Sequence, residues 1–160
     1  MTDRELTAQD ARVLDVLQAD GRISSADLAA ATNLSPATCW RRVRALETRG
    51  VITGYAAQLD RRAVGFSFSA FVHVSIVRQY RDVVDEIADK IKRRPEVLAC
   101  YATTGDADFT LHIVARDIEH YDRFLSDFLF GLPGVGQVRS NVVLREIKQT
   151  SALPLSSAGA

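Results

Sequence analysis

SSADLAAATNLSPATCWRRVRALETRG, residues 24–50, decides how the chain is read. Ser24 or Ser25 caps a short helix that buries Leu28 and Ala29, and Asn33-Leu34 makes the connecting turn. Ser35 caps the next helix. Pro36 stands at its first position, where a missing N–H costs nothing. That helix runs to about Arg49 and stops at Gly50. On a helical wheel Cys39, Val43 and Leu46 lie within about 60° of one another and face a core. Ala37, Arg41, Arg44 and Thr48 point away, with Thr38, Trp40 and Ala45 on the flanks. Arg42 lies beside the buried stripe, in reach of DNA or of an acidic residue of its own domain.

An outward face of arginine and small or hydroxyl side chains suits the major groove of double-stranded DNA. Arginine reaches guanine O6 and N7 with two hydrogen bonds, and threonine contacts bases or phosphate. The helix N-terminus attracts phosphate as well, and Ser35 and Thr38 stand there. The candidate DNA contacts are therefore Ser35, Pro36, Thr38, Trp40, Arg41, Arg42 and Arg44. Bulk charge does not argue for this. The chain has formal net charge +0, and residues 1–60 hold seven Arg against eight Asp or Glu. The positive charge is local: residues 41–49 carry Arg41, Arg42, Arg44 and Arg49 against Glu47 alone.

The surrounding grammar strengthens the reading. Upstream, Thr7 with Asp10 forms a capping-box variant before a helix whose stripe is Ala11, Val13, Leu14 and Leu17. Downstream, VITGYAAQLD alternates around Gly54 and reads as a short hairpin, or wing, followed by a connector near 56–65. Three helices followed by this wing give residues 1–60 the grammar of a helix-turn-helix DNA reader.

From residue 66 the period changes to two. In FSFSAFVHVSI, residues 66–76, Phe66, Phe68, Ala70, Val72, Val74 and Ile76 share one face. Ser67, Ser69, Phe71, His73 and Ser75 share the other. Helical spacing returns over 81–93, with Val84, Ile87 and Ile91 as a stripe beside Val83, and Pro95 ends it. Strands follow at 97–103 and 109–115, a helix at 118–131 with Ile118, Tyr121, Leu125 and Phe128 toward the core, and a strand at 138–147. The order βαββαβ over residues 61–150 is ferredoxin-like, so the fold class is α+β with two helices on one face of an antiparallel sheet. The opposite face, with Phe71, Val114 and Val143 among polar residues, calls for a subunit interface. The tail 151–160, SALPLSSAGA, reads as flexible.

Other classes find little support. No apolar run approaches the ~20 residues of a membrane span, and MTDRELTAQD lacks the apolar core of a secretory signal. A cytoplasmic location follows. Cys39 and Cys100 are far apart, and His73, His112 and His120 form no ligand motif, so no metal, cofactor or catalytic constellation is expected. The turn TTGDAD, residues 103–108, admits two readings. Glycine and aspartate favour turns for backbone reasons. The same loop also offers Thr103 and Thr104 hydroxyls, the open backbone of Gly105, and the carboxylates of Asp106 and Asp108. A free amino acid needs such groups for its ammonium and carboxylate.

LQADGRISSADLAAATNLSPATCWRRVRALETRGVITGYAAQLD, GDADFTLHIVARDIEHYDRFL and LPGVGQVRSNVVLREIKQTSAL together resemble the Lrp/AsnC family of transcriptional regulators, over residues 7 to about 153. The resemblance implies a winged helix-turn-helix followed by the family's effector-binding domain, known as RAM. It implies homodimers formed through the sheets, often assembled into octamers, that control genes of amino-acid metabolism. It implies a free amino acid as effector, bound by the loop that holds Gly105, Asp106 and Asp108. Ser140-Asn141-Val142 falls where the family supplies further pocket or assembly contacts. Asn141 replaces the aromatic residue of the leucine-responsive members, so leucine is not singled out. Some relatives are sirohaem decarboxylases, an enzyme reading in which His73 and His112 would serve a tetrapyrrole pocket. A third alternative is an effector-binding module that does not bind DNA.

Overall fold

The computed structural model describes residues 6–77, 79 and 84–155. The chain divides into two compact units. One takes in the chain up to Gln58 together with the stretch from Lys148 onward, and the other is Leu59–Ile147.

The first unit holds α1 (Ala8–Ala19), α2 (Ser25–Thr32) and α3 (Pro36–Thr48). Each helix starts on a hydroxyl. Thr7 and Asp10 make a reciprocal capping box on α1, Ser24 accepts from the Asp27 N–H, and Ser35 accepts from the Thr38 N–H. Satisfying these orphan donors fixes where each helix begins. The ends are fixed too. Asn33 takes the left-handed conformation (φ 56°), and Leu34 N–H bonds back to the Ala29 carbonyl. Gly50 (φ 69°) does the same for α3, with Val51 N–H on the Leu46 carbonyl. Both are six-residue reversals that satisfy terminal carbonyls. Val13, Leu14, Leu28, Ala29, Cys39 and Leu46 form the buried core.

Two expectations for this unit are corrected. Residues 51–60 form no hairpin ladder. The segment is short on both sides of Gly54, and among the described residues this unit has no strand to pair it; a lone two-stranded ribbon is marginal in water. Ile52 packs instead on the core, with its N–H on the Leu46 carbonyl. The tail from 151 onward is not wholly free. The Gln18 amide donates to the Leu153 carbonyl (3.1 Å) and accepts from the Leu153 N–H (2.6 Å). Leu155 packs against the same core. The two leucines give that small, polar-looking tail an anchor. Residues 156–160 lie outside the described residues.

The second unit holds β1 (Phe68–Ile76), α4 (Val84–Lys92), β2 (Val97–Ala102), β3 (Phe109–Ala115), α5 (Ile118–Phe124) continuing through a π-helical turn (Leu125–Leu129), and β4 (Val135–Val142). The sheet order is β2-β3-β1-β4, antiparallel throughout. This is the ferredoxin-like arrangement that the βαββαβ order predicts. Ala70, Val72 and Val74 of β1 are fully buried with Leu111 and Ile113 of β3, Ile87 and Ile91 of α4, and Leu129. The helix expected from residue 81 has its residues 81–83, Val83 among them, outside the described residues. The last strand runs from Val135 rather than 138, and stops at Val142 rather than 147. A register shift at Ser75/Ile76 admits Gly136, whose missing side chain lets Val77 come close. Beyond Val143, whose N–H bonds the Ser69 carbonyl, the pairing with β1 ends, and Leu144 and Ile147 stand exposed.

One carboxylate ties the first unit together. Asp10 caps α1 and also accepts from Arg42 of α3 (2.8 Å). Burial pushes the Asp10 carboxyl up. Hydrogen bonds from the Thr7 side chain and backbone and from Arg42, with the Arg42 charge, outweigh that and hold it below the ordinary carboxylate value. Its stabilisation is complete above about pH 4 and is lost as the pH falls through the lower folded-state value. Asp10→Ala is expected to cost about 2–4 kcal/mol at pH 7. In thermal unfolding from pH 7 to pH 3 the gap to the unsubstituted protein should narrow below pH 4; a constant gap would show that the charge contributes nothing.

Candidate DNA interface and effector site

The recognition helix α3 presents its arginines in three different states. Arg42 turns inward. Its Nη1 donates to Asp10 Oδ1 (2.8 Å) and to Thr7 Oγ1 (3.4 Å), and its Nη2 donates to Gln9 Oε1. Its Nε is buried and has no partner among the described residues. Of the two roles open to it in the sequence, the structural one is occupied: Arg42 is paired with Asp10. Arg41 is exposed and has no side-chain partner among the described residues. Arg44 is two-thirds exposed, leans over the Trp40 ring (5.8 Å) and makes a long ion pair with Glu47 (3.3 Å). An exposed pair of that kind is weak and easily exchanged for another anion.

Ser35, Pro36 and Thr38 sit at the N-terminus of α3 as expected. The Ser35 hydroxyl accepts from the Thr38 N–H and donates to Thr38 Oγ1 (2.9 Å), so these groups are partly satisfied within the cap. Trp40 is 60% exposed, an unusual position for so large an apolar ring. Sequence reading missed Glu47 and Tyr55. The Tyr55 hydroxyl donates to Glu47 Oε1 (3.2 Å), while Glu47 Oε2 holds Arg44. Burial, then the hydrogen bond to Glu47 and its charge, raise the Tyr55 phenol, with Arg44 opposing. This chain of contacts fastens the segment after Gly54 to the outward edge of α3. The signal for it was one aromatic residue after a glycine, too weak to name a partner.

The loop between β2 and β3 is shaped by its backbone. Gly105 has φ +120°, which side-chain-bearing residues rarely adopt. Thr103 Oγ1 donates to the Ala107 carbonyl (3.0 Å), and Ser75 Oγ donates to the Asp106 carbonyl (2.8 Å). The two carboxylates differ. Asp108 Oδ2 accepts the Ile76 N–H at 2.6 Å and so ties the loop to the end of β1. Asp106 points into solvent, 3.9 Å from the Arg139 guanidinium. Thr104 is exposed.

Ser140 and Asn141 are neighbours in sequence but face opposite ways. Ser140 lies opposite the buried Val72 and accepts the Tyr121 hydroxyl on the helix side. Asn141 lies opposite Phe71 on the open face, with Nδ2 3.3 Å from His73 Nε2. The structure therefore does not bring the two into one site; the period of a strand forbids it. On the open face, His73 Nδ1 meets Thr110 Oγ1 (3.2 Å), and His112 Nε2 meets Ser69 Oγ (3.0 Å). The His112 ring stacks on Phe71 (4.8 Å between centroids), which is 43% exposed. Burial, then the Arg61 charge, lower the His112 pKa, with Glu146 opposing. Of the residues expected on this face, Val114 is already buried.

Comparison with known proteins bears on both units. A family model described as the winged helix-turn-helix DNA-binding domain matches residues 6–53, and one described as the Lrp/AsnC ligand binding domain matches residues 69–153. The chain is 38% identical over 151 residues to the Bkd operon transcriptional regulator of Pseudomonas aeruginosa, covering 94% of this chain and 99% of that protein. It is 34% identical to the leucine-responsive regulatory protein of Escherichia coli, covering 96% and 94%. Among solved structures, a transcriptional regulator of Neisseria meningitidis in complex with L-Met superposes with a TM-score of 0.90 at 37% identity, over 94% of this chain and 97% of that one.

The two loop carboxylates should separate in stability measurements. Asp108→Ala strands the Ile76 N–H and is expected to cost about 1–3 kcal/mol. Asp106→Ala, at an exposed position, is expected to change stability by less than about 0.5 kcal/mol. Chemical denaturation of the two variants checks this. Equal losses would contradict the division of roles.

Proposed function

Since the chain belongs to the Lrp/AsnC family of transcriptional regulators, we propose that it is a sequence-specific DNA-binding regulator whose action responds to a free amino acid. The observation that carries the reading is the sorting of arginines on α3. Asp10 takes Arg42 into the domain, which leaves Arg41 and Arg44 on the outward face with Trp40 and Thr48. These two guanidiniums fit guanine edges or phosphates of double-stranded DNA. Ser35, Pro36 and Thr38 then approach the sugar-phosphate backbone at the helix N-terminus.

In this reading the β2–β3 loop is the effector contact, with Asp106 as the free carboxylate, Thr103, Thr104 and Gly105 shaping the loop, and Asp108 holding its base. The L-Met bound to the Neisseria relative supports an amino acid as ligand here, and makes methionine the first to test. The half-open sheet face around Phe71 and His112, and the exposed Leu144 and Ile147, support a homodimer that assembles further, to an octamer as the resemblance implies. No helix among the described residues is long and apolar enough to cross a membrane. A DNA-binding regulator works where the DNA is, in the cytoplasm. His73 and His112 are engaged with Thr110, Asn141 and Ser69, which favours a regulator over a tetrapyrrole-handling enzyme.

A gel-shift titration with the DNA upstream of the protein's own gene tests the claim. Arg41→Ala and Arg44→Ala should each weaken specific binding by about 1–3 kcal/mol, and affinity should fall steeply with salt. Arg42→Ala should act first through thermal stability. Arg41→Ala and Arg44→Ala variants that both bind like the unsubstituted protein would refute the assigned reading face.

A further inference from the structure

Arg139 was absent from every sequence-based site, yet its guanidinium stands beside the β2–β3 loop. It lies on β4 opposite His73, on the open face of the sheet, and its guanidinium stands 3.9 Å from the Asp106 carboxylate. Two features separate this pair from a self-satisfied ion pair. The gap is too long for a hydrogen bond, whereas Arg42 and Asp10 close to 2.8 Å. In the single chain both side chains are also open to solvent, Asp106 at 92% and Arg139 at 55%. Their backbones, by contrast, are held. Asp106 is fixed by the Ser75 hydroxyl on its carbonyl and by the turn at Gly105. Arg139 is fixed by the β1–β4 ladder. A carboxylate and a guanidinium thus stand side by side on rigid supports with their hydrogen-bonding capacity largely unused.

We propose that Arg139 and Asp106 form a clamp for the zwitterionic end of an α-amino acid, Arg139 taking the carboxylate with its two-pronged fork and Asp106 taking the ammonium. This rests on the effector reading above and deepens it by naming the residue that requires the ligand's carboxylate. Guanidinium matches a planar carboxylate bidentately, and the ammonium's three donors match a carboxylate that has only acceptors. The clamp selects a free amino acid over its amide or the corresponding amine. It does not select among side chains.

The test is a thermal-shift titration of the full chain with each of the twenty common amino acids, then with the primary amide of the strongest binder. A ligand that binds only the folded state raises the melting temperature. The clamp predicts that the amide binds the unsubstituted protein roughly ten- to a hundredfold more weakly than the acid. It predicts that Arg139→Gln loses the same factor for the acid and almost nothing for the amide. Arg139→Lys, which keeps charge without the fork, should fall between. The melting temperature without ligand serves as the folding control, and should Arg139→Gln not fold, the acid-to-amide ratio and Arg139→Lys decide. Acid and amide binding equally well, or Arg139→Gln binding the acid undiminished, would overturn the clamp while leaving an amino-acid effector in place. No shift with any of the twenty would overturn the effector reading, and the clamp with it.

Discussion

A single buried carboxylate organises the DNA-facing half of this protein. Asp10 closes the capping box of α1 and accepts the Arg42 guanidinium from α3. A helix three and a half turns long carries three arginines within four residues, and at 100° per residue they cannot all point one way. By taking Arg42, Asp10 sets the rotation of α3 about its axis. Cys39 and Leu46 then face inward, and Arg41 and Arg44 face out. The cost of burying a charge is met by the hydrogen bonds that Asp10 gathers from Thr7 and Arg42. In a chain whose formal charges cancel, positive charge is thus concentrated locally on the outward face of α3.

The second unit works under a different constraint, the two-residue period of its strands. One face of the sheet is filled by α4 and α5 over a fully buried apolar core. The other carries Phe71, His73, His112, Thr110, Arg139 and Asn141, a polar and aromatic surface. The β2–β3 loop stands at one end of that face, held by Asp108 on Ile76 and by Ser75 on Asp106. The loop is therefore continuous with that polar and aromatic surface.

Much of this was legible in the sequence. Ser-Pro at 35–36, Gly50 and Thr7 with Asp10 marked helix ends by chemistry that leaves few alternatives, and the structure has each cap in place. The alternation Ala70-Val72-Val74-Ile76 named the buried face of β1 correctly. What escaped depended on partners far along the chain. The last strand was expected only from 138, and a register shift in β1 lets it begin at Val135 and run through Gly136. The hairpin expected around Gly54 had the right alternation but no third strand to rest on. Leu153 and Leu155 looked like tail until Gln18 offered its amide. In the β2–β3 loop, glycine and aspartates drew attention for their chemistry. Asp106 and Asp108 could not be told apart, because only the fold says which of them meets Ile76. Arg139, more than thirty residues away, had no local signature at all.

The most direct measurement is a structure of the protein bound to an operator fragment. The account predicts α3 in the major groove, the Arg41 and Arg44 guanidiniums within hydrogen-bonding distance of base edges or phosphates, and Arg42 still on Asp10. A complex with α3 outside the groove, or with Arg42 released from Asp10 and reading bases in place of its neighbours, would contradict it.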